Sequence, residues 1–286
     1  MNQRPSDQSS PKVFVVTVVF NDVKNLERTI LSVLNQTYKN IEYIIIDGGS
    51  TDGTVEVIKK YADRLQYWVS ESDKGMFDAM NKGVARSTGG WVNILNSGDY
   101  FISDTIFQEI FSEAHPDSDI LYGSFVGNFS DRPVVCKPLD DVTVEAYKGM
   151  QACHSTLFVK TKIARKIPYD LKYRHSADGE FELHCIAAGY RFKNLGKIIF
   201  QVGTLGNSFN NWLHCRLENW QICRHYFPGI KTDWFHFRKL ARESTFRFFK
   251  AVTSIFGLYQ LARYIYRKKL KKKFPLLPKG IERYNG

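Results

Sequence analysis

Short apolar runs alternate with amphipathic helical segments through the first third of the chain, and this alternation limits the possible folds most strongly. The predicted strands are VFVVTVVF (13–20), IEYIIID (41–47), LQYWVS (65–70) and WVNIL (91–95). Segments with helical spacing of apolar residues lie between them, including 26–34, 53–62 and 75–87. Strands and helices that alternate with short connections predict an α/β fold, with a Rossmann-like, mostly parallel sheet flanked by helices.

The pattern loosens after residue 99 and gives the expected domain limits. The later predicted elements are a helix at 103–114, strands at 119–126, 154–159 and 192–202, and a helix at 178–188. We expect a disordered lead-in over 1–11, one domain over 12–205 and a helical C-terminal region over 206–286.

Positive charge is concentrated at the end of the chain. The net charge is +11, and residues 231–286 hold 15 Lys/Arg against 3 Asp/Glu, or +12, which leaves −1 for the rest. Aromatic and basic residues mix at about 235–274, where the stretch without charge is twelve residues long, against about 20 needed to cross a bilayer. This segment predicts a basic amphipathic helix on an anionic membrane surface. The alternatives are a solvated helix packed on the body, and a nucleic-acid surface, which no RNA-binding motif supports.

The first residues and the cysteines predict the cellular compartment of the protein. The opening MNQRPSDQSSPK lacks the apolar region of a secretory signal. Five cysteines without a C-x-x-C pair indicate neither a disulfide framework nor a zinc site. We therefore expect a protein of the reducing cytoplasm.

Acidic and small residues follow the predicted strands, at the sheet edge where open α/β folds bind ligands. Asp47 closes an apolar strand, and such an acid is paired either within its turn or with a nucleoside. Asp52 suits the cap of the next helix. Asp99 follows Gly98, which permits close backbone approach, and one carboxylate suits a divalent cation whose other ligands are substrate phosphates. A solvated turn acid is the alternative for Asp99.

A second acidic group lies in HSADGEFELHC, where Asp178 begins a predicted helix. Asp178 either favours the helix dipole or acts as a general base directed into the cleft. His154 and Glu180 are candidates for substrate contacts, and a structural histidine is the alternative for His154.

Five motifs in series resemble one family. TVVFND, IIIDGGSTDGT, ESDKGMFDAMNKG, ILNSGDYF and the later H…SAD arrangement are similar to the inverting family 2 glycosyltransferases of the GT-A fold. They resemble especially the bacterial enzymes that build O-antigen, capsule or colanic acid units. The resemblance covers about residues 12–200.

The resemblance implies residue roles. Asp178 would be the catalytic base, and Asp99 would hold Mg²⁺ or Mn²⁺ on the donor diphosphate. The implied nucleotide-binding residues are Thr17, Phe20, Asn21, Asp47, Asp52, Lys74, Asp78, Asn81, Ser97 and Gly98. Two positions depart from the family pattern, because many relatives carry acids where this chain has Gly48 and Gly98.

The implied reaction moves one sugar, with inversion, from a nucleotide-sugar donor to a lipid-linked acceptor. A UDP-sugar is favoured as donor and a polyprenyl diphosphate saccharide as acceptor, at the inner face of the cytoplasmic membrane. One alternative is a nucleotidyltransferase on a similar sheet, which would need a Gly-rich loop bearing Arg or Lys where this chain reads FNDVKN. The other is a catalytically idle membrane-binding module.

Overall fold

A computed structural model describes residues 10–127, 133–203 and 211–255. The strands are β1 (Val13–Val19), β2 (Ile41–Asp47), β3 (Tyr67–Ser70), β4 (Trp91–Asn96), β5 (Tyr100–Phe101), β6 (Ile120–Gly127), β7 (Val134–Cys136), β8 (Phe158–Lys160) and β9 (Phe192–Gln201). The α-helices are α1 (Leu26–Leu34), α2 (Thr54–Lys60), α3 (Met76–Arg86), α4 (Ile106–Phe111), α5 (Thr161–Lys166), α6 (Ala177–Ala187), α7 (Trp212–Tyr226) and α8 (Ile230–Ile255). Short 3₁₀ turns occur at Ala62–Arg64, Ala146–Lys148 and His154–Thr156.

The first four strands form the expected parallel sheet, in the order β3-β2-β1-β4. Asp47 at the end of β2 lies opposite both Val19 and Ser70. Asn96 at the end of β4 lies opposite Val18. The carboxyl ends of all four strands therefore meet at one edge of the sheet, and the loops that follow them are neighbours.

Alternation of side chains along β1 builds a core on each face of the sheet. Phe14, Val16 and Val18 belong to the cluster that includes residues of α3, while Val13 and Val15 belong to the cluster that includes residues of α1. A strand buried on both faces must be apolar throughout, because successive side chains point to opposite faces. This is why 13–19 reads as an unbroken apolar run.

Beyond β4 the sheet is mixed. β8 is antiparallel to β4 and β6, β9 is parallel to β6 and antiparallel to β5, and β7 forms a hairpin with β6. The strand predicted at 154–159 is wrong in its first half, where the backbone forms the 3₁₀ turn His154–Thr156. Thr156 N donates to Cys153 O at 2.8 Å and Leu157 N to His154 O at 2.9 Å, and these bonds replace strand pairing.

The last described helices pack on the α/β body. Ile222 and Cys223 of α7 belong to the same buried cluster as Phe181 of α6. α8 packs on α7, where Trp220 Nε1 donates to Asp233 at 2.7 Å. Within 10–127, 133–203 and 211–255, no helix has both the length and the apolar character that a bilayer crossing requires. Residues 256–274 of the predicted membrane-surface segment lie outside the described residues.

Candidate functional site

The loops after β1 and β2 are joined by polar contacts at the shared edge. Asn21 has φ 49, and its backbone N donates to Ser50 Oγ at 2.7 Å. Thr51 N donates to Asn21 Oδ1 at 2.9 Å, and Val23 N donates to Asp52 Oδ2 at 3.1 Å. Asn21 and Asp52 therefore fix the backbone on which any ligand at this edge would rest.

Asp47 organises the turn that follows it. Its side chain is fully buried, and Oδ2 accepts hydrogen bonds from Gly49 N at 3.1 Å, Ser50 N at 2.9 Å and Ser70 Oγ at 2.6 Å. These bonds compensate the desolvated carboxylate at the end of an apolar strand. Asp47 sets the shape of the edge, and a nucleoside would add to contacts that already exist.

A second carboxylate beside Asp47 comes from the neighbouring loop. A Cβ atom placed on Gly48 would lie 2.5 Å from Asp73 Oδ2 and 3.3 Å from Phe20 Cδ2. Asp73 therefore occupies the space that an acid at position 48 would need. The ring of Phe20 beside it is 63% exposed. The sequence analysis did not select Asp73. Glycine at position 48, where many relatives carry an acid, together with an acid after the next strand was a signal that could have identified it.

The turn before Asp99 is held against α1. Gly98 has φ +90, and its backbone N donates to Thr29 Oγ1 at 2.9 Å. The Thr29 hydroxyl donates to Asp99 O at 2.8 Å, and the Ser97 hydroxyl donates to Asp22 Oδ2 at 2.7 Å. A left-handed φ at this position favours glycine, and the turn directs the Asp99 side chain inward.

The Asp99 carboxylate has few hydrogen bonds for a buried acid. It is 9% exposed, and its contacts among the described residues are Ser155 Oγ to Oδ2 and Gly203 N to Oδ1, each at 3.4 Å. Burial raises the pKa of Asp99 to about 6, and the nearby His154 partly opposes this shift. A carboxylate with such long hydrogen bonds keeps lone pairs that can bind a hard cation. Asp99 is therefore suited to be a metal ligand.

Other metal ligands would come from substrate or water. In the part of the chain that the structure describes, no group of three or more His, Cys, Asp or Glu side chains is arranged to hold a metal ion. Asp99 alone provides one or two oxygens. Phosphate oxygens and water complete the shell of Mg²⁺ in many nucleotide sites, so the donor set suits a metal that arrives with a diphosphate.

His154 connects the Asp99 region with Asp178. Its Nδ1 lies 3.2 Å from Asp178 Oδ2, and its Nε2 lies 3.0 Å from Asn96 Nδ2 and 3.2 Å from Ser155 Oγ. Burial alone lowers the pKa of His154, but the hydrogen bond and charge of Asp178, with the charge of Asp99, raise it overall. The structure thus brings Asp99, His154 and Asp178 into one group.

The amide of Asn96 indicates how this group responds to a proton. Asn96 Oδ1 is buried and has no hydrogen-bond partner among the described residues, while its Nδ2 faces His154 Nε2. Rotating the amide by half a turn would place Oδ1 against Nε2, where a protonated His154 donates. Protonation of His154 would therefore satisfy the Asn96 oxygen that is left unpaired in the neutral arrangement.

Two predicted nucleotide-binding residues use their side chains for contacts within the protein. Thr17 is fully buried in β1, and its Oγ1 accepts from the Tyr43 hydroxyl at 2.9 Å. Asn81 Nδ2 donates to Tyr169 O at 2.9 Å, and Asn81 Oδ1 accepts from Tyr169 N at 2.8 Å. The side chain of Asn81 ties α3 to the loop after α5.

Three further candidates make contacts that shape the elements around them. Asp78 Oδ2 accepts from Lys74 N at 3.1 Å, so both residues shape the start of α3, where Lys74 is exposed. Glu180 is buried and accepts a hydrogen bond from the Tyr226 hydroxyl of α7. Glu180 therefore connects α6 with α7.

Glu182 is a further buried carboxylate on α6. It is fully buried one turn after Asp178, and its carboxylate accepts from Gln151 N at 2.7 Å and Ala152 N at 3.1 Å. Burial raises the pKa of Glu182 to about 8, although the two backbone N–H groups oppose this shift. Glu182 anchors the segment that leads into His154. The sequence showed its spacing from Asp178 but not these partners.

Comparison with known proteins adds an independent finding. The profile of the family described as Glycosyl transferase family 2 matches residues 14–198. An uncharacterized glycosyltransferase of Mycobacterium tuberculosis is 36% identical over 181 residues, which are 61% of this chain and 69% of the relative. A PGL/p-HBAD biosynthesis glycosyltransferase of Mycobacterium bovis is 28% identical over 186 residues, 63% of this chain and 71% of the relative.

Solved structures share the fold. S. aureus TarS 1–349 in complex with UDP has a TM-score of 0.57 and 17% identity, covering 75% of this chain and 70% of that one. Against a longer TarS structure, the matched region spans 42% of that chain. A mannosyltransferase of Pyrobaculum calidifontis, solved with GDP-Man and Mn²⁺, has a TM-score of 0.58 and 14% identity, covering 93% and 89%. The α/β architecture is thus of the GT-A type.

Proposed function

The chain belongs to glycosyl transferase family 2, and we propose that it moves one sugar from a nucleotide-sugar donor to a hydroxyl group of a saccharide acceptor, with inversion. One observation carries the proposal. His154 stands between Asp178 at 3.2 Å and the Ser155 hydroxyl that reaches Asp99, so a candidate base and a candidate metal ligand share one cleft edge.

In the proposed reaction, the acceptor oxygen attacks the anomeric carbon while the bond from that carbon to the donor phosphate oxygen breaks. Asp178 accepts the proton of the attacking hydroxyl, and the nucleoside diphosphate leaves with the bonding electrons. The new bond forms on the face opposite the departing group, so configuration inverts in one displacement through an oxocarbenium-like state. His154 is a positioning residue that orients the Asp178 carboxylate through Nδ1.

Asp99 is the residue that would hold Mg²⁺ or Mn²⁺. When bound there, the ion would offset the charge on the leaving diphosphate. Support comes from the long contacts of the buried Asp99 carboxylate and from the mannosyltransferase neighbour solved with Mn²⁺. The turn of Ser97 and Gly98 fixes where the carboxylate stands.

A UDP-sugar is the donor that we favour, because TarS was solved with UDP and with UDP-GlcNAc. We propose that the exposed ring of Phe20 stacks on the base and that Asn21, Asp47, Asp52 and the additional Asp73 shape its pocket. Lys74 and Asp78 would contribute from the start of α3. Thr17 and Asn81 would act through the strand and loop that they support.

The acceptor that we propose is a lipid-linked saccharide, such as a polyprenyl diphosphate sugar in bacterial surface polysaccharide synthesis. Support comes from α8, where Ile230, Trp234 and Phe237 are 88%, 59% and 54% exposed. Their spacing places them on one helix face, and residues 231–286 carry +12. Aromatic side chains beside basic residues favour peripheral binding to the anionic inner face of the cytoplasmic membrane. We propose 12–205 as the transferase domain and 206–286 as a helical C-terminal region, in which about 235–274 is the membrane-surface segment.

A nucleotide panel tests the donor side without knowledge of the acceptor. We expect UDP to raise the melting temperature with Mn²⁺ or Mg²⁺ and to have little effect without metal, because only ligands that bind the folded state stabilise it. GDP and dTDP serve as competing nucleotides. Release of UDP from UDP-sugars would then identify the sugar. A protein that binds none of these nucleotides and hydrolyses no UDP-sugar would contradict the proposed function.

A further inference from the structure

A cavity of about 220 Å³ lies between α6 and α7, beside the candidate base. Its lining includes His175, Asp178, Gly179, Trp212, Arg216 and Asn219. The last three lie on α7, beyond residue 198, where the family match ends. The wall of this cavity is therefore built partly from the region of the chain that the family profile does not describe.

Asp178 lines this cavity and also contacts His154, which belongs to the Asp99 group. Its Oδ2 faces His154, its Oδ1 accepts from Gly179 N at 2.9 Å, and the same residue lines the cavity. A hydroxyl group held in the cavity would thus lie next to the carboxylate that takes its proton.

The polar groups on α7 are fixed in position. The Asn219 amide donates to Ser176 Oγ at 3.1 Å and to Cys215 O at 2.8 Å. Asn219 Oδ1 would lie 3.1 Å from a Cβ on Gly149 and 3.6 Å from one on Gly179, so it stands in space that two glycines leave open. This carbonyl oxygen is an acceptor aimed between the two helices.

The remaining wall combines the Trp212 ring and the Arg216 guanidinium group. The Arg247 guanidinium lies 4.5 Å from the centre of the Trp212 ring, and Arg216 Nε donates to Glu243 at 2.8 Å. These contacts fix both side chains, and the other two nitrogens of Arg216 have no partner among the described residues. An aromatic face, a fixed carbonyl and a guanidinium are groups that bind the carbon face and hydroxyls of a sugar.

We propose that this cavity binds one sugar ring of the acceptor and that Trp212, Arg216 and Asn219 on α7 select that sugar. The proposal rests on the proposed function, because it places the acceptor hydroxyl against Asp178. The mixed polar lining suits a sugar ring better than a lipid chain. Acceptor choice would then be decided by α7 and not by the strand-end loops.

The test uses methyl glycosides as simple acceptors, presented to the full chain with saturating UDP and Mn²⁺. The panel contains methyl glycosides of glucose, galactose, mannose, rhamnose and N-acetylglucosamine, and saturation-transfer NMR reports binding. We expect at least one glycoside to bind the parent protein. Trp212→Leu and Asn219→Ala should each weaken that binding at least about tenfold, the effect of losing one good polar or stacking contact.

Gly179→Ala provides a variant that favours folding while it narrows the cavity. Gly179 does not have a positive φ, so alanine at this position lowers the entropy of the unfolded chain, and its Cβ would lie at ordinary contact distance from Met150 Cβ, 3.5 Å. We expect weaker glycoside binding by this variant as well. Leu217→Ala is the matched control, because Leu217 is on α7 but 46% exposed and outside the cavity lining.

The readouts separate this inference from the proposed function. UDP binding measured by thermal shift should persist in all variants, since none of the changed residues is among the proposed nucleotide-binding residues. A parent protein that binds UDP but no glycoside would overturn the inference alone. Glycoside binding that the cavity variants leave within about twofold of the parent would overturn it too. A parent protein that does not bind UDP would count against the proposed function.

Discussion

His154 Nδ1 lies 3.2 Å from Asp178 Oδ2, and this contact joins the 3₁₀ turn before β8 to the first turn of α6. The pair lies at the end of β4, where Asn96 contacts the other ring nitrogen of His154. An imidazole held from both sides fixes the direction of the carboxylate that we propose as the base.

Asp178→Asn should lower sugar transfer by about 100-fold or more, because an amide cannot accept the acceptor's proton. Binding of UDP should change little, since Asp178 is not among the proposed nucleotide-binding residues and the amide oxygen keeps a contact for Gly179 N. Rates of UDP release with acceptor measure the effect. Glu109→Gln, which removes a surface partner of Lys197, is the control. Turnover near that of the parent would remove Asp178 from the mechanism.

Asp99→Asn should weaken UDP binding only when metal is present. The amide is neutral and loses the charge that attracts Mn²⁺ or Mg²⁺, whereas the contacts of Ser155 and Gly203 with this side chain are long already. Isothermal titration with and without Mn²⁺ measures the difference. Asp117→Asn, with a side chain 92% exposed, should behave like the parent. Equal metal-dependent affinities in the Asp99 variant and the parent would show that Asp99 is no ligand.

Glu182→Gln should flatten the dependence of stability on pH. The pKa of Glu182 is raised from 4.5 to about 8, so between these values the folded chain keeps a proton that the unfolded chain has lost. The free energy of unfolding therefore falls as pH rises through this window, by up to about 1.4 kcal/mol per pH unit, and the slope ends above the folded pKa.

Thermal melts at several pH values between 4.5 and about 8 test this linkage. The parent should lose melting temperature with rising pH more steeply than Glu182→Gln. Glu56→Gln, a change at an exposed acid on α2, is the control and should keep the parent's slope. Identical slopes in the parent and the Glu182 variant would argue against a buried, protonated Glu182.

Replacing Trp234 and Phe237 with serine should reduce binding to vesicles that contain anionic lipid. The two rings lie 6.2 Å apart on the exposed face of α8, and their burial at the headgroup layer adds to charge attraction. Vesicle co-sedimentation at low and high salt measures the loss. Val144→Ser, at an apolar residue 68% exposed elsewhere, is the control. Unchanged sedimentation of the double variant would place the contact outside α8.

The sequence by itself determined the α/β order and the positions of the acids that follow the strands. Apolar runs and helical spacing are local signals, and parallel strands bring their carboxyl ends to one edge. Asp47, Asp99 and Asp178 were therefore selected as candidate site residues from the sequence and its family resemblance. The 3₁₀ turn at His154 was missed, because the backbone hydrogen bonds that form it leave no signal in a short run that ends in apolar residues.

Only the tertiary structure decided which groups meet. Gly203 and Asp99 are 104 positions apart and His154 and Asp178 are 24 apart, yet each pair is in contact. Such contacts depend on how helices and loops pack on the finished sheet, and no local pattern encodes them. The same packing places the Asp73 carboxylate beside Gly48 and closes a cavity between α6 and α7.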